Sequence, residues 1–123
     1  DKSIFIDVNT MEVCTPDLIS DICKAVPLLS SYIKSLPSES QPTTNIQIYR
    51  IYIELYLRSH PEVNHDLDII VTQKEATAYG VPVYVYFFLK DKAWASFERK
   101  QSDIFDHLMS IVSEFGLRIY QRP

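Results

Sequence analysis

The chain has 123 residues, 46% of them hydrophobic and 12% aromatic, with only two glycines; this is enough for one domain with a sizeable core, and it excludes a disordered or low-complexity segment. Twelve Lys and Arg against sixteen Asp and Glu leave a formal charge of −4, which argues against a nucleic-acid surface, since phosphate binding needs clustered cations that displace counterions. No uninterrupted apolar run is long enough for a membrane-spanning helix and no signal-peptide pattern is present, so nothing in these residues is expected to cross a bilayer.

In chain order, residues 3–8 alternate Ile4, Ile6 and Val8 against Phe5 and Asp7, a period of two that predicts a strand, with Asn9 and Thr10 turning the chain. Thr15-Pro16-Asp17 reads as a helix start. Thr15 can cap, Pro16 lacks the N–H that would be orphaned at the first position, and Asp17 suits the positive helix end. Leu18, Ile19, Ile22 and Val26 follow at helical spacing until Pro27 forces a break and a restart. The second piece, 27–36, sets Leu28, Leu29, Tyr32, Ile33 and Leu36 on one stripe.

Residues 36–44 (LPSESQPTT) are the one linker-like stretch, expected to be exposed and mobile. From Thr44 the periodicity fits both alternation and a helix face. The run exceeds a usual strand, however, and Pro61 after His60 is a helix stop, so the segment is assigned as helix. Residues 67–77 and 81–90 read as two strands joined by Ala78-Tyr79-Gly80 as a hairpin. The second run, VPVYVYFFL, is apolar on both faces and should be central in its sheet, with Pro82 at its start or at a bulge. Trp94, Phe97, Gln101, Ile104, Phe105, Leu108, Ile111, Val112 and Phe115 trace a long helical stripe ending at Gly116, and 117–120 read as a final short strand.

The order predicts an α+β fold: a ferredoxin-like β-α-β-β-α-β sandwich with a helical insertion, residues 11–43, after the first strand. Residues 1–123 are read as a single α/β domain.

The groups able to carry chemistry are few. Asp103, Asp106 and His107 stand at i, i+3 and i+4, a spacing able to present two carboxylates and an imidazole to a metal; they are read instead as polar partners flanking the Ile104–Phe105–Leu108 stripe. His60, Glu62, His65, Asp66 and Asp68 surround Pro61 without the spacing of a zinc or calcium loop, and are read as a solvated loop. Cys14 and Cys23 form no CxxC pair and are read as reduced, structural residues. No GxSxG elbow or glycine-rich phosphate loop occurs. No catalytic, cofactor-binding or metal residue is assigned, no cofactor is expected, and the chain is read as no enzyme. Trp94 is read as a core residue or interface anchor rather than a ligand-stacking one. Tyr49, Tyr52, Tyr56, Tyr79, Tyr84, Tyr86 and Tyr120 outnumber what a small core is expected to bury with hydroxyls satisfied, which tips the reading toward an oligomer.

Three words carry a resemblance: TNIQIYRIYIELYLRSHPEV from Thr44, VPVYVYFFLKDKAWASFERKQSDIFDHL from Val81, and EFGLRIYQ from Glu114. They resemble the cytoplasmic carboxy-terminal domain of bacterial mechanosensitive ion channels of the small-conductance (MscS) family, in its miniconductance branch, where Tyr-Leu-Arg-x-His-Pro, Gln-x-Asp-Ile-Phe-Asp-His and Glu-Phe-Gly-Leu-Arg words run in the same order. The likeness is strong over 44–123 and loose before it, with 11–43 where that branch carries an insertion. It implies an α/β vestibule domain in a homo-heptamer of the bacterial inner membrane, on the cytoplasmic side. The transmembrane helices would lie upstream, the pore would open under tension during osmotic downshock, and no nucleic acid would be involved. The alternative from another class is a ferredoxin-like regulatory module binding a small ligand in a cleft between subunits.

Overall fold

The computed structural model describes residues 2–122. Strand β1 spans Lys2–Ile6, helices α1 and α2 span Pro16–Ala25 and Pro27–Ser35, and α3 spans Asn45–Ser59. Strands β2 (Ile70–Gln73) and β3 (Val81–Tyr86) follow, then α4, Trp94–Ser110. The protein is α+β, with an open antiparallel sheet of three strands in the order β1-β3-β2 and four α-helices among the described residues.

The punctuation read in the sequence sets the helix boundaries. Thr15 Oγ1 accepts the Leu18 N–H at 3.1 Å, Pro16 opens α1, and Pro27 opens α2 immediately after the break at Val26. Thr44 Oγ1 caps α3 by accepting the Gln47 N–H at 3.2 Å, and α3 ends at Ser59 before Pro61. The ambiguous pattern resolves as a helix because Ile46, Tyr49, Ile53 and Leu57 fall on one buried stripe.

Both strands of the hairpin are shorter than predicted. The 67–77 run keeps four residues as strand and the 81–90 run keeps six. Proline explains the first truncation. Pro82 O accepts the Lys74 N–H at 2.9 Å, so the Pro82 nitrogen faces the same side and has no hydrogen to give; the β2 ladder stops at the pair Gln73–Val83. Central placement of β3 is as predicted, but its two faces are unequal. Val81, Val83 and Val85 point into the core with Ile4 and Ile6 of β1, whereas Tyr84 and Tyr86 on the other face are only half-buried.

The final strand predicted at 117–120 is reduced to a single bridge between Ile6 and Ile119, flanked by Asp7 N–H to Arg118 O and Tyr120 N–H to Phe5 O, each 2.8 Å. The long 94–115 stripe is likewise divided. Helix α4 stops at Ser110, a 3₁₀ turn spans Val112–Phe115, and Gly116 closes it in the left-handed region at φ 71°.

Helices α3 and α4 share one core with the inner face of the sheet, through Tyr49, Tyr52 and Ile53 on α3 and Ile104, Phe105 and Leu108 on α4. Each such side chain, fully buried, stabilises the fold by roughly 1.5–3 kcal/mol. The insertion adds Ile22, Val26, Leu29 and Ile33 to that core, while Leu28 and Tyr32, predicted on the same stripe, are exposed because its centre lies at 29 and 33.

The linker-like stretch is only partly exposed. Pro42 is buried, Ser38–Ser40 form a 3₁₀ turn, and Gln41 Nε2 donates to the carbonyls of Ile33 at 2.9 Å and Leu36 at 3.1 Å. The β2–β3 turn ends at Gly80, φ 100°, where an added Cβ would lie 2.6 Å from the Ile6 carbonyl oxygen and 3.0 Å from Tyr120 Cβ.

Candidate functional site

Two polar clusters read separately in the sequence come together at one end of the helix layer. His107 on α4 turns inward, sharing a 2.5 Å hydrogen bond between its Nε2 and Tyr52 Oη, and its ring stacks on Tyr56 at 4.5 Å between centroids. His60, the cap residue of α3, meets Tyr56 edge-on at 5.6 Å and accepts the Glu62 N–H on Nδ1 at 3.1 Å. His65 Nε2 donates to the Leu57 carbonyl at 3.2 Å. All three histidines of the chain thus gather around the C-terminal end of α3.

Burial lowers the pKa of His107, with the positive charge of a protonated His60 adding to it. Burial lowers His60 as well, against the opposing pull of Glu62. The Tyr52 hydroxyl is pushed up to about 12 by burial, then by Tyr56. A neutral imidazole hydrogen-bonded to a protonated phenol is the stable state of this pair near neutral pH.

The arrangement makes a packed joint rather than a metal site. Asp103 and Asp106 are exposed while His107 faces Tyr52, so the three are not brought to one point. Glu62 Oε2 is held by Lys100 Nζ at 2.7 Å, and Asp66 and Asp68 are exposed. Among the described residues no three His, Cys, Asp or Glu side chains are grouped to hold a metal. Lys100 also reaches Asp91 at 3.4 Å and ties α4 to the loops on either side of the hairpin.

The other candidate is the outer face of the sheet. The ladder places Ser3 and Phe5 of β1, Pro82, Tyr84 and Tyr86 of β3, and Ile70 and Thr72 of β2 on this face. Tyr84 and Tyr86 stack at 6.3 Å, Phe88 meets Tyr86 edge-on at 5.1 Å, and Lys74 Nζ lies 5.0 Å over the Tyr84 ring. Ile70 and Phe88 are 38% and 39% exposed. The result is a row of Ile70, Tyr84, Tyr86 and Phe88 with Ser3, Thr72 and Lys74 as its polar members. Surfaces of this composition are typical of the cores of protein interfaces.

The tyrosines therefore divide. Tyr49 and Tyr52 are core residues with satisfied hydroxyls, Tyr49 Oη donating to the Leu108 carbonyl at 2.6 Å, while Tyr56, Tyr79, Tyr84, Tyr86 and Tyr120 are half-buried or exposed. Trp94 is 75% exposed at the first turn of α4, which removes the core half of its reading.

One residue escaped the sequence reading entirely. Asn45 is fully buried; its Oδ1 accepts the Glu12 N–H at 2.8 Å and its Nδ2 donates to the carbonyls of Thr10 at 3.0 Å and Phe115 at 2.9 Å. With the Val13–Thr44 bridge and Cys14 N–H to Thr43 O at 2.8 Å, it closes the base of the insertion onto α3 and the 112–115 turn. Thr44-Asn45 in sequence resembles ordinary capping, and nothing local announces partners 33, 35 and 70 residues away.

No family model matches the chain, and no solved structure matches it.

Proposed function

We propose that this chain is a vestibule and assembly domain of an MscS-family mechanosensitive ion channel of the miniconductance type, acting without catalysis, cofactor or metal. The observation that carries the reading is the sequence itself: three long words, at Thr44, Val81 and Glu114, in the order that the branch carries them. A ferredoxin-like plan belongs to the same proposal. Counting 117–120 as the partner of β1, the strands run (117–120)-β1-β3-β2, with α3 and α4 as the crossovers and 11–43 as the insertion.

In this reading the channel is a homo-heptamer in the bacterial inner membrane, and the domain hangs on its cytoplasmic side. The half-exposed aromatic row of the sheet suits a contact with another subunit, because its burial removes apolar surface from water. A ring uses two different surfaces of each subunit and gains its strength on closure.

The full-length protein provides the test. Reconstituted in liposomes, it should pass current when suction stretches the patch, and in detergent its mass by light scattering should be that of a closed ring of seven. A dimer, or a membrane that stays silent up to rupture, would remove the channel reading.

A further inference from the structure

A cavity of about 650 Å³ lies in the insertion, between one stripe of α1 and one of α2. Pro16, Ile19 and Cys23, with Ser20 and Lys24 beside them, recur at helical spacing along its first wall, and Ser30, Ile33 and Lys34 form the second. The size falls in the range of small-molecule sites. From Pro16 to Cys23 a helix advances about 10 Å, which gives a narrow groove the length of a chain of about ten carbons. Cys14 and Gln41 also line it.

Its electrostatics run against the rest of the chain. The protein carries a formal charge of −4, yet no carboxylate lines this cavity and two lysines do. Lys24 and Lys34 are exposed, and neither belongs to an ion pair among the described residues. The positive charge of Lys34 reaches far enough in to oppose the rise that burial imposes on the Cys23 thiol. An apolar trough with two free ammonium groups complements an amphipathic anion. The cysteines do not serve each other, since Cys14 precedes the cap of α1 and Cys23 lies near its far end, well beyond the Cα separation that a disulfide spans.

We propose that the groove between α1 and α2 binds a single-chain organic carboxylate, its hydrocarbon tail laid along Pro16, Ile19 and Ile33 and its carboxylate held by Lys24 and Lys34. Binding here depends only on residues of the insertion and stands whether or not the chain belongs to a channel.

The two thiols are built-in reporters. N-ethylmaleimide labelling of Cys14 and Cys23, followed by mass spectrometry of their peptides, is measured with decanoate below its micellar concentration. At tenfold excess over Kd, mass action should slow both labelling rates roughly tenfold, and the effect should saturate. Decylammonium, the same chain with the opposite charge, should not protect. Lys24→Ala/Lys34→Ala changes only exposed side chains and should weaken protection by about tenfold or more, the worth of a charged hydrogen bond. Absence of protection, equal protection by decylammonium, or unchanged protection in the double variant would each overturn the proposal. So would labelling that slows with protein concentration alone, which would assign the groove to a second copy of the chain.

Discussion

The tyrosines of α3 and those of β3 are chemically identical and structurally opposed. Tyr49 and Tyr52 stand in the core with each hydroxyl bonded, one to the Leu108 carbonyl and one to His107, whereas Tyr84 and Tyr86 stack along a half-exposed sheet face. On α3 the ring is a packing element and the hydroxyl a buried donor that must find an acceptor. On β3 the ring stands half-buried on the outer face of the sheet. A tyrosine count therefore measures neither core nor interface, since the long-range acceptor decides between them.

The strongest way to break this contrast is truncation. Tyr49→Ala should cost about 3–5 kcal/mol in urea unfolding, since it empties a fully buried aromatic site, while Tyr86→Ala in the monomer should cost about 1 kcal/mol or less. Equal costs would erase the distinction between the two faces. Asn45→Ala comes next, at about 3 kcal/mol, because it strands a Glu12 N–H and two carbonyls that the amide now satisfies; Asn45→Asp should not rescue it, having no donor for Thr10 and Phe115.

Tyr49→Phe isolates the hydroxyl and should cost about 1–2 kcal/mol, against a change within about 0.5 kcal/mol for Tyr86→Phe. In the assembled full-length protein the order should reverse for association. Tyr86→Ser is expected to shift the sedimentation profile toward smaller species while leaving the melting temperature of the isolated domain nearly unchanged.

Acid gives the mildest effect and sharpens the contrast further, because only the α3 side contains titrating histidines. His60 and His107 have lowered pKa values in the fold, so below about pH 6.5 the unfolded chain takes up protons that the folded one does not. The stability conferred by keeping them neutral is fully present above 6.5 and is lost as pH falls through that value toward the folded-state pKa values. Around them stand Tyr52, Tyr56, His65, Glu62, Lys100 and Asp103; Lys100 holds the Glu62 carboxyl below its ordinary value, so that carboxyl adds its own loss only at lower pH. Melting temperatures of wild type and His107→Gln between pH 7.5 and 5 should show a shallower fall in the variant.

Punctuation was legible in the sequence and partnership was not. Thr15, Pro16, Pro27, Thr44, Pro61 and Gly116 act on the backbone within a few residues of themselves, so helix limits could be read directly. Strand lengths could not, because the ladder ends where a neighbour fails to supply a donor: Pro82 stops β2, which lies at a distance along the chain. The 117–120 segment alternates as a strand should, yet only Ile119 finds a bridge. In the sequence His107 reads as a polar partner flanking the Ile104–Phe105–Leu108 stripe, but its own partner, Tyr52, is 55 residues away. Cys14 and Cys23 form no motif in the sequence, and only folding sets them on one cavity.

Gly80 has a consequence for how freely this sequence can drift. Its φ of 100° is open to few side chains, and the atom a Cβ would strike is a strand carbonyl of β1, which no rotamer change can move aside. A saturation library at 78–80 selected for folding should return many letters at Ala78 and Tyr79, which are exposed, and one at position 80. The turn's tip is thus free to vary while its last residue is fixed by the backbone of β1, so the hairpin can drift in sequence everywhere except where it meets that strand.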